Sequence, residues 1–167
     1  MKKNKVLHIV RHAKSSWEND GIADIDRTLK PKGVRNAYET ARKLKLIDSI
    51  PDVIVSSPAN RALHTAIIFA RVFGNPYGSL QINEILYEFS KDHILDFIRD
   101  FDDSKCSMMI FGHNPDVTDL VNYFIRKSVN EIPTSGVTTL LFSCDKWKEI
   151  APENMDKHLF YFPSKEE

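Results

Sequence analysis

Neither sign of charge is in excess in this chain: 23 lysines and arginines face 23 aspartates and glutamates, for a formal net charge of zero. No global field then draws it to nucleic acid or to an anionic membrane surface. Any affinity for an anion must be local, built from a few aimed groups. Cysteine is scarce as well. Cys106 and Cys144 lie far apart with no C-x-x-C pair, which leaves no basis for a disulfide framework and reads as two reduced core thiols of a cytoplasmic protein. The N-terminus lacks a long apolar run. Lys2, Lys3 and Lys5 imitate the start of a signal peptide, but the stretch that follows is only Val6 to Val10 and is broken by His8. That is too short for a signal-peptide core or a membrane span, and no small-residue cleavage site follows. Internal repeats and low-complexity linkers are also missing. At 167 residues, 42% hydrophobic and 28% charged, the chain can bury one sizeable core. A single domain is expected over residues 1–163, with a flexible tail over 164–167.

What is present alternates short apolar runs with helical stripes. A strand is predicted over Lys5–Arg11. After a polar loop, Pro31 stands as a first-turn proline, and Val34, Ala37, Tyr38, Ala41 and Leu44 recur at helical spacing. Val53–Ser56 reads as a second strand. Pro58 is expected to open a helix striped by Ala62, Leu63, Ala66, Ile67, Ala70 and Phe73, stopped by the breakers that begin at Gly74. There follow a short strand near 80–83, a helix carrying Ile94, Leu95, Phe97, Ile98 and Phe101, a strand over 107–111 and a helix opened by Pro115. Residues 136–143 and 158–162 read as the last strands. This alternation implies the α/β class: a three-layer α/β/α sandwich with a mostly parallel central sheet, its last two strands adding antiparallel edges.

Three of the predicted strands end abruptly on polar chemistry. Arg11-His12-Ala13 closes the first, Ser57-Pro58-Ala59-Asn60-Arg61 follows the second, and Gly112-His113-Asn114-Pro115 follows the run at 108–111. Ligands of α/β sheets bind at the carboxyl ends of strands, so Arg11, His12, Arg61 and His113 are expected at one rim. That set suits a dianionic phosphoryl group. Guanidinium forks match phosphate oxygens two at a time, Arg61 falls in a helical first turn whose free N–H groups favour an anion, and His113 adds a third donor. His12 is the candidate nucleophile: a neutral imidazole can attack phosphorus in line and become a phosphohistidine that water then hydrolyses.

Taken singly, each residue has a blander reading, a hydrogen-bonded core histidine or a surface ion pair. The case is their joint occurrence at three equivalent strand ends, a context that His8, His64, His93 and His158 lack. A zinc reading is weak, because the arginines beside His12 and His113 would repel a cation. No metal and no cofactor are implied. For the general acid, Glu84 could reach a leaving-group oxygen from the rim, and Glu88, four residues later, competes. Asp24 and Asp26 are a third possibility, favoured instead as ordering the loop before the first helix with Arg27 as ion-pair partner.

These residues resemble the histidine phosphatase, or phosphoglycerate mutase-like, superfamily. Its R-H-G/A signature is matched by Arg11-His12-Ala13, its S-P-x-x-R-A-x-x-T-A block by the ten residues Ser57 to Ala66, and its G-H-N-P block by Gly112-His113-Asn114-Pro115. The resemblance implies phosphorylation of His12, phosphate binding by Arg11, Arg61 and His113, and Glu84 at the family's proton-donor position. The run Arg11-His12-Ala13-Lys14-Ser15-Ser16-Trp17, with Asp26-Arg27-Thr28-Leu29 and Lys32-Gly33, is most similar to the small SixA-type phosphohistidine phosphatases. Ser15 in this run is a further phosphate-binding candidate. Ala13 stands where the wider signature has glycine, and Thr28 where the subgroup has proline, which loosens that loop without touching the chemistry.

Between Glu84 and Ser107 there is room for one helix, so little or no cap is expected over the site. An open site admits water, which suits hydrolysis over mutase chemistry, and admits a protein-borne phosphate. The expected activity is hydrolysis through a phosphohistidine on His12, acting on a phosphohistidine-bearing protein, with phosphate or sulfate as pocket ions. A small-molecule phosphomonoesterase or mutase-like enzyme is one alternative, and a non-catalytic phosphate-binding module is another.

Overall fold

Two strands show why the sheet is covered on both faces. In β1, Lys5–Arg11, and β4, Ser107–Gly112, successive side chains alternate between faces, as a pleated strand requires. Leu7, Ile9, Met108 and Ile110 join one buried apolar cluster, while Val10, Met109 and Phe111 join the other. The computed structural model describes residues 4–18, 21–48 and 50–165. The readings made above for Lys2, Lys3, Glu166 and Glu167 fall outside those residues.

Four further strands complete the sheet: β2 at Val53–Ser56, β3 at Leu80–Ile82, β5 at Val137–Phe142 and β6 at Met155–Tyr161. The order is β3-β2-β4-β1-β5-β6. The pairs from β3 to β1 are parallel, while β5 runs antiparallel to β1 and β6 antiparallel to β5. Helices α1, Pro31–Lys45, and α2, Asn60–Phe73, cover one face. Ala37, Ala41, Ala66 and Ala70 are buried among the apolar residues of that layer. A single turn, α3 at Ile85–Glu88, leads to α4, Lys91–Arg99, and α5 follows at Asp116–Ile125. Through Ile94, Leu95, Ile98, Val117, Leu120 and Phe124, the last two helices cover the other face. The three-layer α/β/α arrangement expected from the alternation is the one observed. Among the described residues, no helix is long and apolar enough to cross a membrane.

The differences from expectation have local causes. Helix α2 begins at Asn60 rather than Pro58, because the Ser57 N–H still pairs with Phe111 O at 3.0 Å and keeps the chain extended past the end of β2. Four-residue α3 is too short to leave a periodic signature. Cys106 and Cys144 are both free, but only Cys144 is buried; Cys106 is half-buried. Lys5 is a core residue: fully buried, its ammonium donates to the carbonyls of Asp103 and Lys105 at 2.8 Å each and lies 5.2 Å from the centre of the Trp147 ring. Ser164, placed in the tail, is held by Glu39 of α1, which accepts its N–H at 3.2 Å and its hydroxyl at 2.6 Å.

One close approach sets the loop that follows β1. The N-terminal turn of α1 is pressed so tightly on that loop that a Cβ at Gly33 would meet Lys14 O at 2.2 Å and Lys14 N at 2.9 Å. Both atoms are backbone and cannot swing aside. Gly33→Ala is therefore expected to lower stability by about 1–3 kcal/mol, the usual range for overpacking, read as a fall in the urea midpoint at unchanged m-value. An unchanged midpoint would show that helix and loop are not in fixed contact.

Candidate active site

The parallel strands β2, β4 and β1 end almost level. Arg11 lies beside Gly112, and Ser56 beside Phe111. The ladder continues into the loops, with the His12 N–H donating to Gly112 O at 3.1 Å. Three loops therefore leave from one edge, and the structure brings Arg11, His12, Arg61 and His113 together around a cavity of about 430 Å³. The imidazole centres of His12 and His113 are 5.1 Å apart. Thr65 ties α2 to the loop after β1: it accepts the Ala13 N–H at 2.9 Å and donates to Arg61 O at 2.6 Å.

The tautomer of His12 follows from one contact. Its Nδ1 lies 2.7 Å from Ala13 O, which can only accept, so Nδ1 carries the proton and Nε2 the lone pair. Burial is the main cause of a pKa lowered to about 4; the Ala13 carbonyl opposes it, and the charges of Arg61, Arg11 and Arg27 add to it. The ring is neutral at pH 7. His113 is lowered further, to about 3, by burial and then by His12 and Arg61. Its Nε2 lies 2.8 Å from the Ser57 hydroxyl, whose oxygen also takes the Ala59 N–H at 3.2 Å. With one donor already on that oxygen, the arrangement that uses the hydroxyl proton has Ser57 donating to Nε2. His113 Nδ1–H then becomes a donor, and it is buried with no partner among the described residues.

Each arginine is held at one end and leaves the same edge unused. Arg11 Nη1 donates to Glu131 Oε1 at 2.7 Å and Ile132 O at 2.8 Å, while its Nε is unpaired. Arg61, 5% exposed, gives Nη1 to Asp24 O at 2.7 Å and Nη2 to Asp24 Oδ2 at 3.0 Å, and its Nε is likewise unpaired. Two guanidinium Nε groups and one imidazole nitrogen are thus buried and unpartnered among the described residues that line the cavity.

The acidic residues fall differently from expectation. Glu84 is exposed at the turn that opens α3 and does not line the cavity; nor does Glu88. The carboxylate that lines it is Asp24. As expected, Asp24 pairs with Arg27, at 3.1 Å, but it also reaches Arg61 and accepts the Tyr87 hydroxyl at 2.9 Å. Partial burial pushes its pKa up, but the hydrogen bonds from Tyr87, Arg27 and Arg61 outweigh that and hold it down at about 2. Tyr87 also packs edge-on against His113, at 5.5 Å between centres. Ser15 is buried on the cavity wall and accepts from Arg27 Nη2 at 2.6 Å, which leaves its own proton to donate. Three residues here, Ser57, Thr65 and Tyr87, escaped the reading of roles from sequence, as did one contact of Asp24. Ser57 and Thr65 stand inside the S-P-x-x-R-A-x-x-T-A block and carried a signal; Asp24's reach to Arg61 and the position of Tyr87 carried none.

A neutral imidazole with a free lone pair, flanked by two arginines at the carboxyl edge of a parallel sheet, is an arrangement suited to phosphoryl transfer. The family model for the histidine phosphatase superfamily (branch 1) matches residues 7–94, more than half of the chain. The chain belongs to that superfamily and is a phosphatase. An uncharacterized protein of Mycobacterium leprae is 26% identical over 166 residues, covering 92% of this chain and 99% of that protein. The structure of a protein from Agrobacterium tumefaciens, provisionally named phosphohistidine phosphatase SixA, superposes with a TM-score of 0.73 at 26% identity, covering 81% of this chain and 90% of that one. The protein histidine phosphatase SixA complexed with tungstate shares the fold at a TM-score of 0.75 and 16% identity, covering 92% and 96% of the two chains.

Because the pKa values of His12 and His113 lie near 4 and 3, lowering the pH from 7 to 5 should leave both rings neutral, and protonation should begin only below that. Side-chain ¹⁵N NMR checks this, with His12 expected as the Nδ1-protonated tautomer. A midpoint near 6.5 for His12 would show that the buried, cation-flanked environment does not hold.

Proposed function

We propose that this phosphatase removes phosphoryl groups carried on histidine side chains of proteins, through a phosphohistidine formed at Nε2 of His12. The observation that carries the reading is the state of the acid: the carboxylate lining the cavity, Asp24, is ionised and engaged by Arg27, Arg61 and Tyr87. A phosphate ester needs a proton delivered to its alkoxide leaving group. A phosphohistidine needs no acid from the enzyme, since water can protonate the free nitrogen of its ring and the imidazole then departs neutral. The site is also uncovered, with only the four-residue α3 between β3 and α4, which leaves room for a polypeptide carrier.

In the proposed reaction the His12 Nε2 lone pair attacks phosphorus as the substrate's N–P bond breaks, and the departing imidazole takes a proton. Water then attacks the enzyme's phosphohistidine; the new O–P bond forms, the Nε2–P bond breaks and its electron pair returns to Nε2, while the excess proton of the attacking water is lost to solvent from the phosphate product. Arg11, Arg61 and His113 Nδ1–H stabilise the three equatorial oxygens throughout, with the Ser15 hydroxyl as a further donor. Glu84, exposed outside the cavity, has no part in this scheme. The free thiols Cys106 and Cys144 support a reducing, cytoplasmic setting.

The test is acid-labile phosphate trapping on His12 with a histidine-phosphorylated peptide, phosphoserine and p-nitrophenyl phosphate as donors. The peptide is expected to label fastest, His12→Ala to abolish labelling, and Arg61→Ala to lower kcat/KM about 10²–10³-fold, as for loss of a preorganised charge donor. Labelling by phosphoserine but not by the peptide would overturn the substrate assignment. Turnover without any labelled histidine would overturn the mechanism.

A further inference from the structure

The mouth of the cavity holds more positive charge than a phosphoryl group requires. In a chain of zero net charge, the described residues of the lining include Arg11, Lys14, Arg27, Lys30 and Arg61 against one carboxylate, that of Asp24. Arg11 and Arg61 are each offset by an acid, Glu131 and Asp24. Arg27 is spent as a strut: its three nitrogens donate to Ser16 O, Asp24 Oδ1 and Ser15 Oγ, and its guanidinium stacks 3.2 Å from the centre of the Trp17 ring. The cations left least engaged are Lys14 and Lys30, the latter paired only at 3.4 Å with the exposed Glu18.

These two lysines are fixed side by side by the backbone. Ser15 and Leu29 form an isolated antiparallel bridge, with the Lys30 N–H donating to Lys14 O at 2.8 Å and the Ser16 N–H to Thr28 O at 2.9 Å. Residues 14 and 30 are thus directly opposed across the bridge, and like charges so opposed repel. Gly33 is packed tightly on the Lys14 backbone. Lys30 has a long surface pair with Glu18, at 3.4 Å, and the Lys14 ammonium has no partner among the described residues. A pair of cations held together against their repulsion, beside an open phosphoryl site, is relieved by an anion bridging them.

We infer that Lys14 and Lys30 form a recognition site for acidic side chains flanking the phosphorylated histidine on the substrate protein. This deepens the reading of the previous subsection and rests on it. The occupant is a polypeptide because the site is uncovered, and it is acidic by charge complementarity.

The experiment uses two histidine-phosphorylated peptides, identical except that the flanking residues are aspartate and glutamate in one and alanine in the other. The quantity read is the ratio of their kcat/KM values. For the intact protein at low salt the acidic peptide is expected to be favoured about tenfold, near threefold for each lysine. The preference should sit mainly in KM and shrink as salt is raised. In K14A/K30A the ratio is expected to fall to about one, and in K14E/K30E to drop below one. Equal kcat/KM for the two peptides in the intact protein overturns the proposal, whatever the variants do. So does a ratio that survives in a folded K14A/K30A, or a loss there that is equal for both peptides, which would assign the lysines to the phosphoryl group itself. Failure of both peptides to turn over while phosphoserine does would overturn the phosphohistidine reading, and this proposal with it.

Discussion

The site depends on register in the parallel triplet β2-β4-β1. Because Arg11 pairs with Gly112 and Ser56 with Phe111, the residues just past those pairs are delivered to one edge within bonding reach of each other. A slip of one residue would turn every side chain to the opposite face. It would exchange Leu7 and Ile9 with His8 and Val10 between the two apolar layers. The register is therefore specified by burial on both faces, and the backbone bonds from His12 to Gly112 and from Ser57 to Phe111 carry it into the loops. Positioning at the site is in this sense a by-product of core packing.

Charge at the site is arranged so that one feature has two effects. Concentrating guanidinium groups prepares the cavity for an anion, and the same positive field, added to burial, keeps His12 and His113 neutral. A nucleophilic imidazole needs that neutrality. Buried cations are costly unless paired and hydrogen-bonded. Here Glu131 and Asp24 take one end of Arg11 and Arg61 respectively and hold their orientation, and the Nε of each is unpaired. Asp24 thus anchors Arg61 and Arg27, and their hydrogen bonds with that of Tyr87 hold its carboxylate ionised.

Much of this was legible in the residues. Periodicity of two in the strands and 3.6 in the helices marked the elements, and their alternation marked the layers. Abrupt endings at Arg11-His12, Ser57-Pro58 and Gly112-His113 marked the rim. His8 and His12 stand four residues apart, yet only His12 follows the apolar run, and the structure has His8 buried against Thr139 at 2.8 Å. Roles that depend on reach across space were not legible. Glu84 follows β3 as an acid at the rim would, but α3 begins there and leaves it exposed outside the cavity. Asp24 looks like a loop-ordering residue, and it is one, but its contact to Arg61 spans 37 positions. Lys5 reads as one of several N-terminal lysines, whereas its ammonium is bound by carbonyls some 100 positions away.

By itself the sequence determined the elements, the two-sided burial of the sheet and the identity of the four rim residues, because those follow from side-chain periodicity and from where apolar runs stop. Only the tertiary structure decided which nitrogen of each histidine bears the proton, which carboxylate faces the cavity and which lysines oppose each other. Those are set by hydrogen bonds and distances between groups that chain separation does not encode.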